Sequence, residues 1–209
     1  MATEFLPWDT YPDLTLDRLC AIADVIRSVR HQAVMLHEPE NGDGDWCLGC
    51  RVYERTCFAL REAAKVHQWL EILPETKTLQ FSFSIGSIPF RFYKGDPDDP
   101  PSHYLAHTYG ELHHIQLSLE IEGLPPLDKV LRLAVETGID REASTISVVE
   151  SDETGEVKNT FSVPLYAEIS NVTSIQAPPV NLPPAIAEPL PKESQETKKK
   201  DDATNTGTK

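Results

Sequence analysis

The sequence predicts an α+β fold in which an N-terminal antiparallel helical hairpin is followed by a mostly antiparallel sheet of about six strands and a disordered C-terminal tail. Three observations carry this. Apolar residues recur at alternating spacings of three and four up to Pro74, they alternate singly from Leu79 onward, and large apolar residues almost vanish after Ser174. Helical and strand patterns are thus segregated along the chain rather than interleaved as βαβ units. Residues 1–174 read as a single acidic domain and 175–209 as the tail.

The elements follow in order. Phe5, Trp8 and Tyr11, interrupted by Pro7 and Pro12, read as an irregular apolar arm packed on the domain. A first helix starts near Asp13 or Thr15, either of which can cap it, and runs to about His37. Its stripe is Leu19, Ile22, Ile26, Val29, Ala33 and Leu36. After the loop Glu40 to Asp45, a second helix is expected from Trp46 to Leu73, with Trp46, Cys50, Tyr53, Cys57, Leu60, Ala64 and His67 on its stripe. Gly49 would let the two helices approach closely, and the short connection favours an antiparallel hairpin.

Leu79, Phe81, Phe83 and Ile85 alternate with polar residues and predict a strand. Gly86 and Ser87 suit a two-residue turn into a second strand at Ile88 to Tyr93, where Pro89 places its start at an edge or bulge. The prolines of 95–102 require a loop. Alternation predicts a further strand at His114 to Ile121. At Lys129 to Glu136, Leu131, Leu133 and Val135 fit a strand while Leu127, Val130, Leu131 and Ala134 fit a short helix, and the strand is chosen. A hairpin of Ile146 to Glu150 and Glu156 to Leu165 follows, closed near Gly155.

The formal charge of the chain is −14. From Ala177 onward, five Lys balance five acidic residues, so the excess lies on 1–176, where 28 acidic residues face 14 Lys and Arg. Such a surface repels phosphate backbones and argues against direct nucleic-acid binding, while it suits a basic protein partner. The chain has no apolar run long enough to cross a bilayer and no signal-peptide pattern, so no membrane association and a cytoplasmic location are expected. Cys20, Cys47, Cys50 and Cys57 all fall in the first third and read as reduced thiols.

Several short constellations could carry chemistry. Trp46-Cys47-Leu48-Gly49-Cys50 resembles the W-C-x-x-C active site of the thioredoxin-like oxidoreductases, and Ile88-Pro89 leading a later strand resembles the proline that flanks that site. The resemblance implies a redox pair at Cys47 and Cys50, with a helix N-terminus stabilising the thiolate. It covers these residues alone: the segment before Trp46 is polar where that family has a buried strand, and Glu38, Glu40, Asp43, Asp45 and Glu54 oppose a thiolate.

A zinc site would draw on Cys47, Cys50, Cys57 and His37, though only one Cys pair has knuckle spacing. His103, His107, Glu111 and His113, with His114 beside them, form the alternative metal cluster, since His103 and His107 share a face at i, i+4 spacing if that segment is helical. The acidic loop Asn41 to Asp45 fails as an EF-hand, because Trp46 and Val52 occupy the positions that need Gly and Glu. On the second strand Arg91, Tyr93 and Lys94 lie on or beside one outward face, where two cations and an aromatic make a partner-binding patch.

No P-loop, dinucleotide fingerprint or nucleophile elbow is present. The sequence therefore favours a non-catalytic interaction module that binds a protein partner through an acidic surface, such as a regulatory subunit, an antitoxin-like inhibitor or an accessory factor, with no cofactor. The alternative is a metal- or thiol-dependent enzyme using the His103 to His114 cluster or Cys47 and Cys50.

Overall fold

A computed structural model describes residues 5–75, 80–119, 129–152 and 154–165. The expected tail at 175–209, the boundary at 174 and the ends of two expected strands, at Leu79 and Ile121, lie outside these residues.

The N-terminal arm contains a single helical turn, α1 (Pro7–Thr10), opened by a proline whose fixed φ suits the first helical position. Helix α2 (Leu16–Met35) starts where the Thr15 hydroxyl accepts from the Arg18 N–H. Its buried stripe includes Leu19, Ile22, Ile26, Val29 and Ala33, as the spacing predicts, whereas Leu36 is exposed. A 3-10 turn (Pro39–Asn41) and Gly42, in the left-handed region at φ 97°, lead to α3 (Asp45–Ala64), which packs against α2.

Helix α3 departs from expectation at both ends. Trp46 and Cys50 point to solvent, and the buried residues are Leu48, Thr56, Cys57 and Leu60. The helix stops at Ala64 because the chain turns to form β1 (Leu70–Ile72), which pairs antiparallel with β2 (Phe83–Ile85) in the register Leu70↔Ile85 and Ile72↔Phe83. Pairing there buries Leu70, and Leu73 just beyond the strand is buried too. Three residues are too few for a period to show.

Strand β2 turns through Gly86, at φ 60°, into β3 (Ile88–Lys94), with Ile85 opposite Ile88 as the two-residue turn requires. The Asp13 carboxylate accepts from both the N–H and the hydroxyl of Ser87 at 2.9 Å and pins this turn. A Cβ on Gly86 would lie 2.2 Å from that carboxyl carbon, so the position demands glycine on both counts.

The segment expected as a strand at His114 to Ile121 is instead helix α5 (Tyr109–Leu119), preceded by the single turn α4 (Ser102–Leu105). Thr108 and Glu111 decide it. The Glu111 N–H donates to the Thr108 hydroxyl at 3.3 Å and the Thr108 N–H donates to the Glu111 carboxylate at 2.6 Å, a reciprocal capping box that starts the helix. Strands β4 (Val130–Thr137), β5 (Ala143–Ser151) and β6 (Val157–Ser162) complete a six-stranded sheet in the order β1-β2-β3-β4-β5-β6. All neighbours are antiparallel except β3 and β4, which run parallel with Arg91 opposite Arg132.

The register sorts side chains to two faces. Phe83, Phe90, Phe92, Leu131, Leu133, Ile146, Val148 and Phe161 form the main core with the buried stripes of α2 and α3. Ser84, Arg91, Tyr93, Arg132 and Val149 point the other way, and residues 103–111 cover part of that face. Among the described residues no helix is long and apolar enough to cross a membrane.

Candidate functional site

Arg91 and Tyr93 are buried rather than presented on an outward face, and only Lys94 is exposed. The cover is α4. Its Tyr104 ring lies under the Arg91 guanidinium at 4.4 Å and against the Tyr93 ring at 5.3 Å, while the Arg91 guanidinium donates to the His103 carbonyl. The Tyr93 hydroxyl donates to the Asp96 carbonyl. Alternation along β3 assigns these side chains to one face, but what lies over that face depends on the later segment folding back.

Beneath α5 the same face holds a buried ion pair. Arg132 donates to Glu111 at 2.7 Å, and neither side chain is more than 1% exposed. The guanidinium also donates to the carbonyls of Tyr104 (2.6 Å), Leu131 (2.7 Å) and Ala106 (3.1 Å). Burial pulls the Arg132 pKa down and the Glu111 carboxylate pulls it back up. With one carboxylate oxygen on Arg132 and the other on the Thr108 N–H, Glu111 has a structural occupation. Of the other residues in the alternative metal cluster, His103 is exposed with its ring tilted against Tyr104, His113 is exposed and stacks on Tyr109, and His107 is half-buried, its pKa lowered by desolvation. Among the described residues no three His, Cys, Asp or Glu side chains converge to hold a metal ion.

The cysteines do not form a disulfide. Cys47 is half-buried and its thiol donates to Asp43, Cys50 is exposed, and Cys20 and Cys57 are buried. Burial pushes the Cys57 thiol up to about 12. What precedes Trp46 is the 3-10 turn and a loop, not a strand.

Two features emerge that alternation and helical period do not reveal. The first is a pocket of about 180 Å³ between α2, α3 and the carboxyl ends of β3 and β4. Its α3 wall is Gly49, Val52, Tyr53 and Thr56, one stripe at helical spacing; Phe92, Tyr93, Lys94 and Val135 line it from the sheet, and Arg30 and Tyr104 close it. Gly49 does not serve helix approach, since a Cβ there would meet nothing within 4 Å.

The second is the end of the molecule where α2 finishes, α3 begins and β4 turns into β5. Asp45 pairs with Arg141 at 3.1 Å, His31 meets Glu142 at 3.0 Å, and Arg30 donates to the Arg141 carbonyl at 2.6 Å, so the three segments are tied together. Asp43 orders the intervening loop by accepting from the Glu38 N–H and from Arg51; the first of these bonds, opposed by partial burial and aided by Arg51, leaves its carboxyl below the usual range. On this framework Trp46 is 83% exposed and Ile139 fully exposed, with Met35 and Leu36 exposed nearby in the chain. Residues 36–46 and 136–142 carry Glu38, Glu40, Asp43, Asp45, Glu136, Asp140 and Glu142 against Arg141 alone among Lys and Arg.

No protein-family model, curated protein or solved structure matches the chain.

Proposed function

We propose that the protein is a non-catalytic interaction module whose acidic end, centred on Trp46 and Ile139, docks a protein partner with an apolar spot inside a basic rim. The observation that carries this reading is the exposure of Trp46 just after a loop that Asp43 orders through the Glu38 N–H and Arg51. A tryptophan facing water leaves a large apolar area hydrated, and tryptophan is prominent among the residues that dominate binding energy at interfaces. The surrounding carboxylates favour a cationic partner and speed its approach. We infer also that α2 and α3 form an antiparallel hairpin, which is supported by Arg51, early in α3, donating to the Leu36 carbonyl just past the end of α2. That pairing would set the Trp46 surface at one end of the helical layer. Of the three residues first assigned to a partner patch, Lys94 alone has the exposure such a role needs.

The test compares the wild-type chain with Trp46→Glu and with Trp46→Glu/Ile139→Glu. Each is used to recover its partner from the native host, and the partner is then purified and titrated. Loss of a central tryptophan contact costs about 2 kcal/mol or more, so affinity falls by at least about thirtyfold with thermal stability unchanged, and wild-type binding weakens with added salt. A partner held equally by all three proteins refutes the assignment.

A further inference from the structure

We propose that the pocket between α2, α3 and the carboxyl ends of β3 and β4 is a binding site for a small monocarboxylate with an apolar body, of the size of one ring or a short branched chain. The proposal is independent of the docking surface at Trp46.

Size and lining set the apolar part. The pocket volume is about 180 Å³, close to the roughly 150 Å³ of a cavity that takes up benzene. Val52, Phe92 and Val135 supply hydrocarbon, and Tyr53 and Tyr93 also line the pocket. The Tyr53 hydroxyl accepts from the Phe81 N–H and that of Tyr93 donates to the Asp96 carbonyl, so neither ring leaves its polar end unpartnered.

Two polar features point to an occupant. Thr56 is completely buried and its hydroxyl has no hydrogen-bond partner among the described residues, although it sits on a helix where the carbonyl one turn back is ordinarily within reach. A buried hydroxyl left unpaired costs stability, and a ligand oxygen in the pocket would satisfy it. Arg30 and Lys94 both line the pocket, and neither forms an ion pair with a described carboxylate, in a domain where acidic residues outnumber Lys and Arg two to one. Arg30 is 3% exposed, and among the described residues its side chain donates from Nε to the Arg141 carbonyl alone. Glu142 acts on the Arg30 guanidinium from beyond contact distance, the guanidinium's terminal nitrogens donate to no described residue, and a carboxylate in the pocket would match that planar fork. The apolar lining argues against a phosphate, which is ordinarily held by several converging backbone N–H groups.

Gly49 supplies the entrance. It lies two turns before Thr56 on the same face of α3, it is exposed, and the space a Cβ would fill is open. Glycine inside a helix weakens it relative to alanine. Since neither a positive φ nor a close neighbour requires glycine here, what the missing side chain provides is access to the pocket.

The test is an amide-shift NMR titration of the full chain with sodium benzoate and, separately, with neutral benzyl alcohol. Benzoate should saturate with a dissociation constant of about 1 mM or tighter and move the Gly49, Lys94 and Tyr104 amides, while benzyl alcohol binds at least about tenfold more weakly. Gly49→Leu should weaken benzoate by more than about tenfold by filling the entrance. Thr56→Val, nearly isosteric, should weaken benzoate by about tenfold yet raise the melting temperature of the unliganded protein, a pairing that a purely structural hydroxyl would not produce. Lys94→Ala, at an exposed position, should weaken benzoate with no effect on benzyl alcohol. The proposal fails if benzoate gives no saturable shifts up to about 10 mM. It fails equally if benzyl alcohol binds as tightly as benzoate, or if Thr56→Val and Lys94→Ala both leave benzoate affinity unchanged.

Discussion

Replacing Glu111 by Gln isolates the buried ion pair from every other role of that side chain. Gln has the same shape and can still accept from the Thr108 N–H, so the capping box that starts α5 is retained. The charge on Arg132 is then left without its counter-ion in a site closed to water, held by the carbonyls of Tyr104, Leu131 and Ala106. Removing one partner of such a pair costs about 3–5 kcal/mol, because the remaining charge stays desolvated. For a domain of this size each kcal/mol lowers the melting temperature by roughly 2–4 °C, which gives a fall of about 6–20 °C. Arg132→Met should cost at least as much, since it strips the Glu111 carboxylate of its cation and releases three carbonyls. The double variant should be more stable than the sum of the two losses allows, as expected when an entire pair is removed rather than half of it. Urea unfolding monitored by circular dichroism, run as a double-mutant cycle, measures all three. A loss below about 1 kcal/mol for Glu111→Gln, with an unchanged denaturant slope, would refute the reasoning.

Other expectations can be checked with simple chemistry. Of the four cysteines, Cys50 and Cys47 should react with an aromatic disulfide reagent in the native protein, and Cys20 and Cys57 only after unfolding; four fast thiols would contradict the burial. Burial first, and for Tyr93 the carboxylates of Asp96, Asp98 and Asp99 next, hold the Tyr53 and Tyr93 phenols protonated well above the ordinary 10.0. The folded state therefore retains protons that the unfolded chain loses, and stability should fall as pH rises above about 10, with these phenols ionising only on unfolding; a single ordinary phenolate titration with native circular dichroism would count against it. Asp13→Asn should weaken the β2 to β3 turn by about 1–2 kcal/mol at neutral pH through its two bonds from Ser87. Although burial opposes ionisation of Asp13, the Ser87 and Arg18 hydrogen bonds outweigh it and lower its pKa, so the wild-type advantage is present above the usual 3.8 and disappears as pH falls through the lower folded value. An advantage that grows on acidification would overturn this account.

Period and turn chemistry suffice for α2, for β3 and its Gly86 turn, and for the three C-terminal strands, because each presents a regular face to one core. They fail where the deciding contact is short or distant. Alternation of Ile115, Leu117 and Leu119 mimics a strand, while the stronger local signal is the Thr108-x-x-Glu111 capping box, which settles the helix but is easily overlooked beside an apolar run. Strand β1 is too brief for any period, so the end of α3 is overextended in its favour. The placement of Arg91 and Tyr93 depends on α4 folding over them, a tertiary event with no local signature. Trp46 and Cys50 fit the helical stripe by spacing, yet both are exposed and that stripe is buried only at Cys57 and Leu60. The one trace of the pocket in the sequence is Gly49, whose meaning depends on which neighbours are absent.

The parallel seam between β3 and β4 also bears on how the chain assembles. Strands β1 to β3 pair with sequence neighbours, and so do β4 to β6, whereas Arg91 meets Arg132 only after the chain has passed through α4 and α5. Each half of the sheet can close by short-range pairing, and joining them requires a longer loop to be ordered first, which is the slower kind of step in folding. Arg132 sits on that seam and binds the carbonyls of Tyr104 and Ala106 together with Glu111, so the residues that close the loop and those that zip the sheet are ordered by one side chain. Hydrogen exchange should accordingly find the β3 and β4 amides and the start of α5 becoming protected together, as one cooperative unit rather than two.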